Sequence, residues 1–143
     1  MKIRELMTND VFSVSPQDPI VKAARIMQQR NVGCIPVCDR QGQVVGILTD
    51  RDIVIRVVAE GRDPNKLDVN KVMSNDITCA TPDMEGEEAA GIMARHQIRR
   101  LPVTENGRLT GIISIGDLAT NNIFVDEAAQ ALKDISQPSR PLM

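Results

Sequence analysis

Residues 46–52 read Gly46-Ile47-Leu48-Thr49-Asp50-Arg51-Asp52, and residues 111–117 read Gly111-Ile112-Ile113-Ser114-Ile115-Gly116-Asp117. Both fit Gly-x-x-(Thr/Ser)-x-x-Asp. An apolar run that ends in a hydroxyl residue, with an acid three positions later, marks a strand passing into a helix. Outward from this pair the match continues. A one-residue deletion in a turn changes the offset from 65 to 66, and Leu6-Met7-Thr8-Asn9-Asp10-Val11 then lie over Val72-Met73-Ser74-Asn75-Asp76-Ile77. Pro16 falls on Pro82, Ala23-Ala24 on Ala89-Ala90, Ile26-Met27 on Ile92-Met93, and Pro36-Val37 on Pro102-Val103. Fourteen aligned positions are identical. The chain is a tandem duplication.

Each copy reads β-α-β-β-α. A short extended segment (Val11 to Ser15; Ile77 to Thr81) runs into Ser-Pro or Thr-Pro, which disfavours helix at the residue before proline. A helix is expected from Asp18-Pro19, with Asp18 as its cap and Pro19 at the first helical position. Ile20, Ala23, Ala24 and Met27 share one face of a 3.6-residue period, and Ala89, Ala90, Ile92 and Met93 repeat the pattern. Two strands follow, Ile35 to Cys38 and Val44 to Leu48, joined by a turn containing Gly42; Leu101 to Thr104 and Leu109 to Ile113 join through Asn106-Gly107. The second helix begins at Thr49 or Ser114. The spans expected are a first repeat over 1–60, a linker over 61–68, a second repeat over 69–122, and a C-terminal segment over 123–143. In that segment Ile123 to Ile135 reads as an extra helix and the rest as a frayed tail.

Composition narrows the function. In 143 residues, 42% are hydrophobic and 25% charged, the balance of a globular domain, with no apolar run long enough to cross a membrane. The N-terminus lacks a signal-peptide pattern, so the expected compartment is the cytoplasm. A net charge of −2, two Phe and no Tyr or Trp argue against a nucleic-acid binder, which uses basic patches and stacking rings. Cys34 and Cys38 on one strand lie about 13 Å apart, beyond the roughly 7 Å limit of a disulfide. With Cys79 and the lone His96 they show no metal-ligand spacing. No Ser-His-Asp spacing, Walker motif or Gly-x-Gly-x-x-Gly is present, so neither a catalytic residue nor a metal is assigned.

What remains is ligand binding at the two acid-tipped junctions. A plain capping box accounts for the motif alone. Three features add to it: helix N-termini attract anions, acids can accept both hydroxyls of a ribose, and arginines pair with phosphate. Two small repeats, each too thin in core to stand alone, are expected to pack with pseudo-twofold symmetry around a shared cleft.

Two β-α-β-β-α copies ending in Gly-x-x-(Thr/Ser)-x-x-Asp resemble a tandem pair of cystathionine-β-synthase (CBS) domains, a Bateman module. The resemblance covers residues 1 to about 120. Leu48-Thr49-Asp50-Arg51-Asp52-Ile53-Val54-Ile55-Arg56 and Arg99-Arg100-Leu101-Pro102-Val103 are most similar to small stand-alone bacterial members, including the hypoxic-response type. It implies an α/β (α+β) fold and a non-enzymatic regulatory module. The ligand it implies is an adenosine compound: AMP, ADP, ATP, NAD(H) or S-adenosylmethionine, with no other cofactor. By resemblance, Asp52 and Asp117 hold ribose hydroxyls, and Thr49 and Ser114 touch phosphate or ribose. Thr78, Cys79, Ile98 and Arg99 fall near the Asp52 site, and Phe12, Ser13, Val32 and Gly33 near the Asp117 site. Arg51, Arg99 and Arg100 are the phosphate candidates, which favours phosphorylated ligands at Asp52. The resemblance further implies a homodimer signalling to a protein target; a nucleic-acid-binding or metal- or redox-sensing member is the alternative.

Overall fold

The computed structural model describes residues 1–121 and 125–138. The chain divides into two compact units whose limits cross those of the sequence repeats. The first-repeat unit holds residues 12–77 with 106–109, and the second-repeat unit holds residues 1–11, 78–105, 110–121 and 125–138. Each repeat therefore gives its leading segment to the unit built on the other.

In the first-repeat unit, α1 (Ile20–Arg30) precedes β1 (Cys34–Cys38), β2 (Val44–Thr49) and α2 (Asp50–Ile53), which continues as a π-helical turn over Val54–Val58. Helix α1 buries Ile20, Ala23 and Met27, part of the stripe legible in the sequence. It ends on Asn31 at φ 54°, a left-handed stop that asparagine tolerates. Strands β1 and β2 pair antiparallel, with Cys34 opposite Thr49 and Val37 opposite Gly46. The core is aliphatic, built on Ile20, Ile35, Val37, Leu48, Val57, Val69 and Val72.

Two expectations are corrected here. The extended segment at 11–15 forms no strand; Val14 makes a single parallel bridge to Val37, donating to Pro36 O at 3.1 Å and accepting from Cys38 N at 2.9 Å. Pro16, lacking an N–H, prevents the ladder from lengthening. Nor does Asp18 cap α1. Its carboxylate accepts from Ser15 N at 2.8 Å while its own amide donates to Ser15 O at 3.0 Å, so it closes the turn before the helix. Pro19 is the N-cap and supplies no side-chain bond. The first-turn amides are instead taken by residues 61–68: Ile20 N donates to Leu67 O at 2.9 Å and Val21 N to Pro64 O at 3.0 Å.

The second-repeat unit repeats this logic with a different piece of chain. It contains a 3-10 turn at Ile3–Glu5, α3 (Gly86–His96), β3 (Arg100–Glu105), β4 (Arg108–Ser114) from Thr110 onward, α4 (Ile115–Ala119) and α5 (Val125–Ile135), while the turn between β3 and β4 belongs to the first-repeat unit. Asn106 and Gly107 take φ 54° and 82°, as a two-residue hairpin turn requires. The expected strand at 77–81 is again one bridge, from Ala80 to Val103, with Pro82 just downstream. Gly86 N donates to Met1 O at 3.0 Å and Ile3 N to Met84 O at 2.9 Å, so the N-terminal residues cap α3 as residues 61–68 cap α1. Arg4 donates to Asp83, and that neighbour holds the Asp83 carboxyl below the usual carboxylate range. The core centres on Ile3, Met93, Leu101, Val103, Ile113 and Leu118. Of the predicted helix 123–135, residues 125–135 are helical; Ile123 and the tail beyond 138 lie outside the described residues.

The motif glycines have a packing role. A Cβ on Gly46 would meet Met73 Sδ at 2.5 Å and Ser74 O at 3.0 Å; on Gly111 it would meet Met7 Sδ at 2.6 Å and Thr8 O at 3.0 Å. Each leading segment crosses its strand here, with Ile47 and Ser74 exchanging backbone bonds of 3.0 and 2.8 Å. A methionine can swing aside, but the carbonyl cannot leave without breaking the bridge. Gly46→Ala and Gly111→Ala are each expected to cost about 1–3 kcal/mol in chemical denaturation. Unchanged stability would contradict this close approach. Deleting residues 1–11 should lower Tm by about 10 °C, since it removes the buried Ile3, the α3 cap and Met7 together; a deletion with native Tm would show the segment to be dispensable.

Candidate functional site

Helix α4 has five residues and α2 four before its π-helical turn, both short enough that propensity alone does not start them. What starts each is a reciprocal clasp. Thr49 N donates to Asp52 Oδ2 at 3.0 Å, and Asp52 N donates to Thr49 Oγ1 at 3.1 Å. Ser114 N donates to Asp117 Oδ2 at 2.8 Å, and Asp117 N to Ser114 Oγ at 3.1 Å. The capping box of the sequence is therefore present in both copies. Each clasp employs one carboxylate oxygen and leaves Oδ1 outside it. The Asp52 side chain is 17% exposed, so a ligand reaching it displaces little water.

In the first-repeat unit the clasp gathers several sequence candidates. Asp50 N donates to Gly33 O at 2.9 Å, which holds Val32, Gly33 and Cys34 beside Thr49. The Asp50 carboxylate folds over Gly33, where a Cβ would lie 2.7 Å from Oδ2, and its Oδ1 accepts from Arg51 N at 2.8 Å. The Arg51 side chain is exposed. Phe12 and Ser13 lie on the far edge of β1 from β2, beside the Val14 bridge; Arg30 stacks on the Phe12 ring at 4.5 Å.

The second-repeat unit holds the matching set. Ile115 N donates to Arg99 O at 2.8 Å, so Arg99 stands beside Ser114 where Gly33 stands beside Thr49. Arg100 opens β3 and is exposed, and Ile98 is half-buried against the core. Thr78 and Cys79 lead into the Ala80 bridge on the outer edge of β3. His96 ends α3 in solvent.

Sequence reasoning missed Arg56. Its Nη1 donates to Val72 O at 2.9 Å, which brings its Nε to 4.0 Å from Asp52 Oδ1, a long charge contact from one turn away. The i, i+4 spacing of Asp52 and Arg56 was the available signal. At the aligned position the second copy has Asn121, so the two acids differ in their cationic support.

The family model described as CBS domain matches residues 3–59 and 69–123. The chain belongs to the CBS-domain family. CBS domain-containing protein YhcV of Bacillus subtilis is 46% identical over 134 residues, covering 94% of each chain. Hypoxic response protein 1 of Mycobacterium tuberculosis is 34% identical over 116 residues, 81% of each chain. A crystal structure of Hypoxic Response Protein I with two coordinated zinc ions matches at TM-score 0.76 and 32% identity, over 84% of this chain and 98% of that one. The resemblance to a stand-alone CBS pair is thus borne out, and with it the mixed helix-and-strand fold. Among the described residues no group of three or more His, Cys, Asp or Glu side chains is placed to hold a metal, and no helix is long and apolar enough to cross a membrane.

One thiol in this CBS pair is chemically subdued. Burial pushes the Cys38 thiol up from its usual range; a hydrogen bond with Ser13 opposes that, and the Asp39 charge adds to it. Cys38 is therefore mostly protonated at neutral pH and sheltered from reagents. Iodoacetamide at pH 7 should label Cys38 only after denaturation, and Ser13→Ala should not speed it. Rapid native labelling, located by peptide mass spectrometry, would contradict this.

Proposed function

We propose that this CBS pair is a non-enzymatic sensor that binds an adenosyl nucleotide through Asp52 and Asp117 and passes its occupancy to a protein partner. The carrying observation is the clasp: Oδ2 of each acid is held by a backbone amide, which orients the carboxylate while Oδ1 lies outside that bond. A ribose offers two adjacent hydroxyl donors to such a group. Thr49 and Ser114 are proposed beside the sugar or phosphate, and Arg51, Arg99 and Arg100 at the phosphate. Phe12, Ser13, Val32, Gly33, Thr78, Cys79 and Ile98 are proposed to line the base. AMP, ADP and ATP are the leading ligands; NAD(H) and S-adenosylmethionine share the adenosyl group.

Magnitudes fit a sensor. Burying about 100 Å² of adenine contributes about 2.5 kcal/mol. Two or three charge-assisted bonds add about 1.5–3 kcal/mol each. After association costs, affinity near micromolar, about −8 kcal/mol, is the expected scale. A homodimer is proposed as the working form, which light scattering would show as twice the 15.7 kDa chain mass; a monomeric mass at micromolar concentration would remove it.

Asn can replace either acid and still accept the clasp bond. Asp52→Asn and Asp117→Asn are thus expected to weaken AMP binding at least about tenfold, or about 1.4 kcal/mol, in calorimetry while leaving Tm nearly unchanged. The larger loss is expected at Asp52, next to Arg51 and Arg56. If both variants bind AMP as the parent does, the assignment is wrong; equal losses would remove only the preference.

A further inference from the structure

Helix α5 is seated on the second-repeat unit mainly through small side chains. It packs along α3 and α4, yet only Ala128 and Ala131 of its side chains are fully buried, with Ile135 half-buried at its end. Its larger apolar residues point away: Val125 is 47% exposed and Leu132 45%. Where α3 and α5 face each other, an open groove of about 480 Å³ remains, floored by small residues such as Ala90 and Gly91. Acids line both sides of it, Glu87 from α3 and Asp126, Glu127 and Asp134 from α5, against the single cation Arg95. Glu127 Oε2 is shut off from solvent with no hydrogen-bond partner among the described residues, an arrangement that penalises the docked helix. Among the described residues, Gln97 Nε2 donates across the seam to Asp134 O at 3.2 Å.

We infer that α5 is a detachable helix whose docking reports the state of the Ser114–Asp117 junction. The route is short. Helix α4 carries Asp117, begins at the clasp and is itself one of the two surfaces on which α5 rests. A ligand that tightens or shifts α4 changes the footing of α5. Undocking uncovers the small-residue face of α3 together with Ala128, Ala131 and Ile135 of α5. Burying little apolar side chain beyond two alanines puts α5 toward the low-stability end of the unit, where switching elements are found. The reporting role rests on the nucleotide reading above; the loose docking does not.

Hydrogen exchange on the full chain, read by mass spectrometry, separates the two. Without ligand, amides of 129–135 should exchange at least about 100-fold faster than those of 89–93 in α3. Equal protection overturns the inference. Glu127→Met, which removes the stranded oxygen, should slow α5 exchange severalfold, and Gln97→Ala should speed it; no response to either also overturns it. Saturating AMP should change α5 exchange severalfold in the parent but not in Asp117→Asn. If calorimetry shows AMP bound while α5 exchange stays the same, the reporting role fails and the nucleotide reading stands. If AMP does not bind at all, the nucleotide reading fails, while the first two comparisons still decide whether α5 is loosely docked.

Discussion

The paired bonds between a hydroxyl residue and the acid three positions later set where everything else in each unit stands. Helical segments of five to nine residues gain too few internal hydrogen bonds to offset the cost of nucleation. The clasp satisfies two otherwise orphaned amides, so strand becomes helix at one fixed residue. Once that point is set, the carbonyl of Gly33 or Arg99 receives the next amide, and the approach to the neighbouring strand is fixed as well. A structural bond and a proposed ligand contact thus share one carboxylate. The two roles are compatible because a carboxylate has two oxygens and four acceptor positions.

The second constraint is the exchange of leading segments. Met73 against Gly46 and Met7 against Gly111 are the same contact made twice, each time by chain from the other repeat. The α1 and α3 first turns depend on the same trade, since carbonyls of Leu67 and Met1 fill equivalent places. Duplication of the sequence therefore did not yield two self-sufficient pieces. It yielded two units that each need residues from both copies, which helps so aromatic-poor a chain build two aliphatic cores.

Legibility in the sequence followed the range of the interaction. The capping boxes, the Asn106-Gly107 turn and the Ile20-Ala23-Met27 face were readable because each is decided within seven residues. Family membership was readable because the motif occurs twice at one offset. The Asp18 cap was misplaced by one residue, since Ser15 competes for the same carboxylate and wins. The strands at 11–15 and 77–81 were overestimated because periodicity does not reveal that a following proline limits pairing to one bridge. Gln97 at φ 54° closes α3 although glutamine gives no sign of a left-handed stop. Arg56 was within reach of a simple spacing rule, whereas the exchange of residues 1–11 was not, because contacts across eighty positions leave no local pattern.

If the clasped carboxylates hold a sugar through its adjacent hydroxyls, then removing one hydroxyl should matter more than any change to the base. Calorimetric titration of the unaltered protein with AMP and with 2′-deoxy-AMP measures this without touching the fold. The account predicts that 2′-deoxy-AMP binds at least about tenfold more weakly, the cost of one lost charge-assisted bond. Equal affinity for the two nucleotides would contradict it.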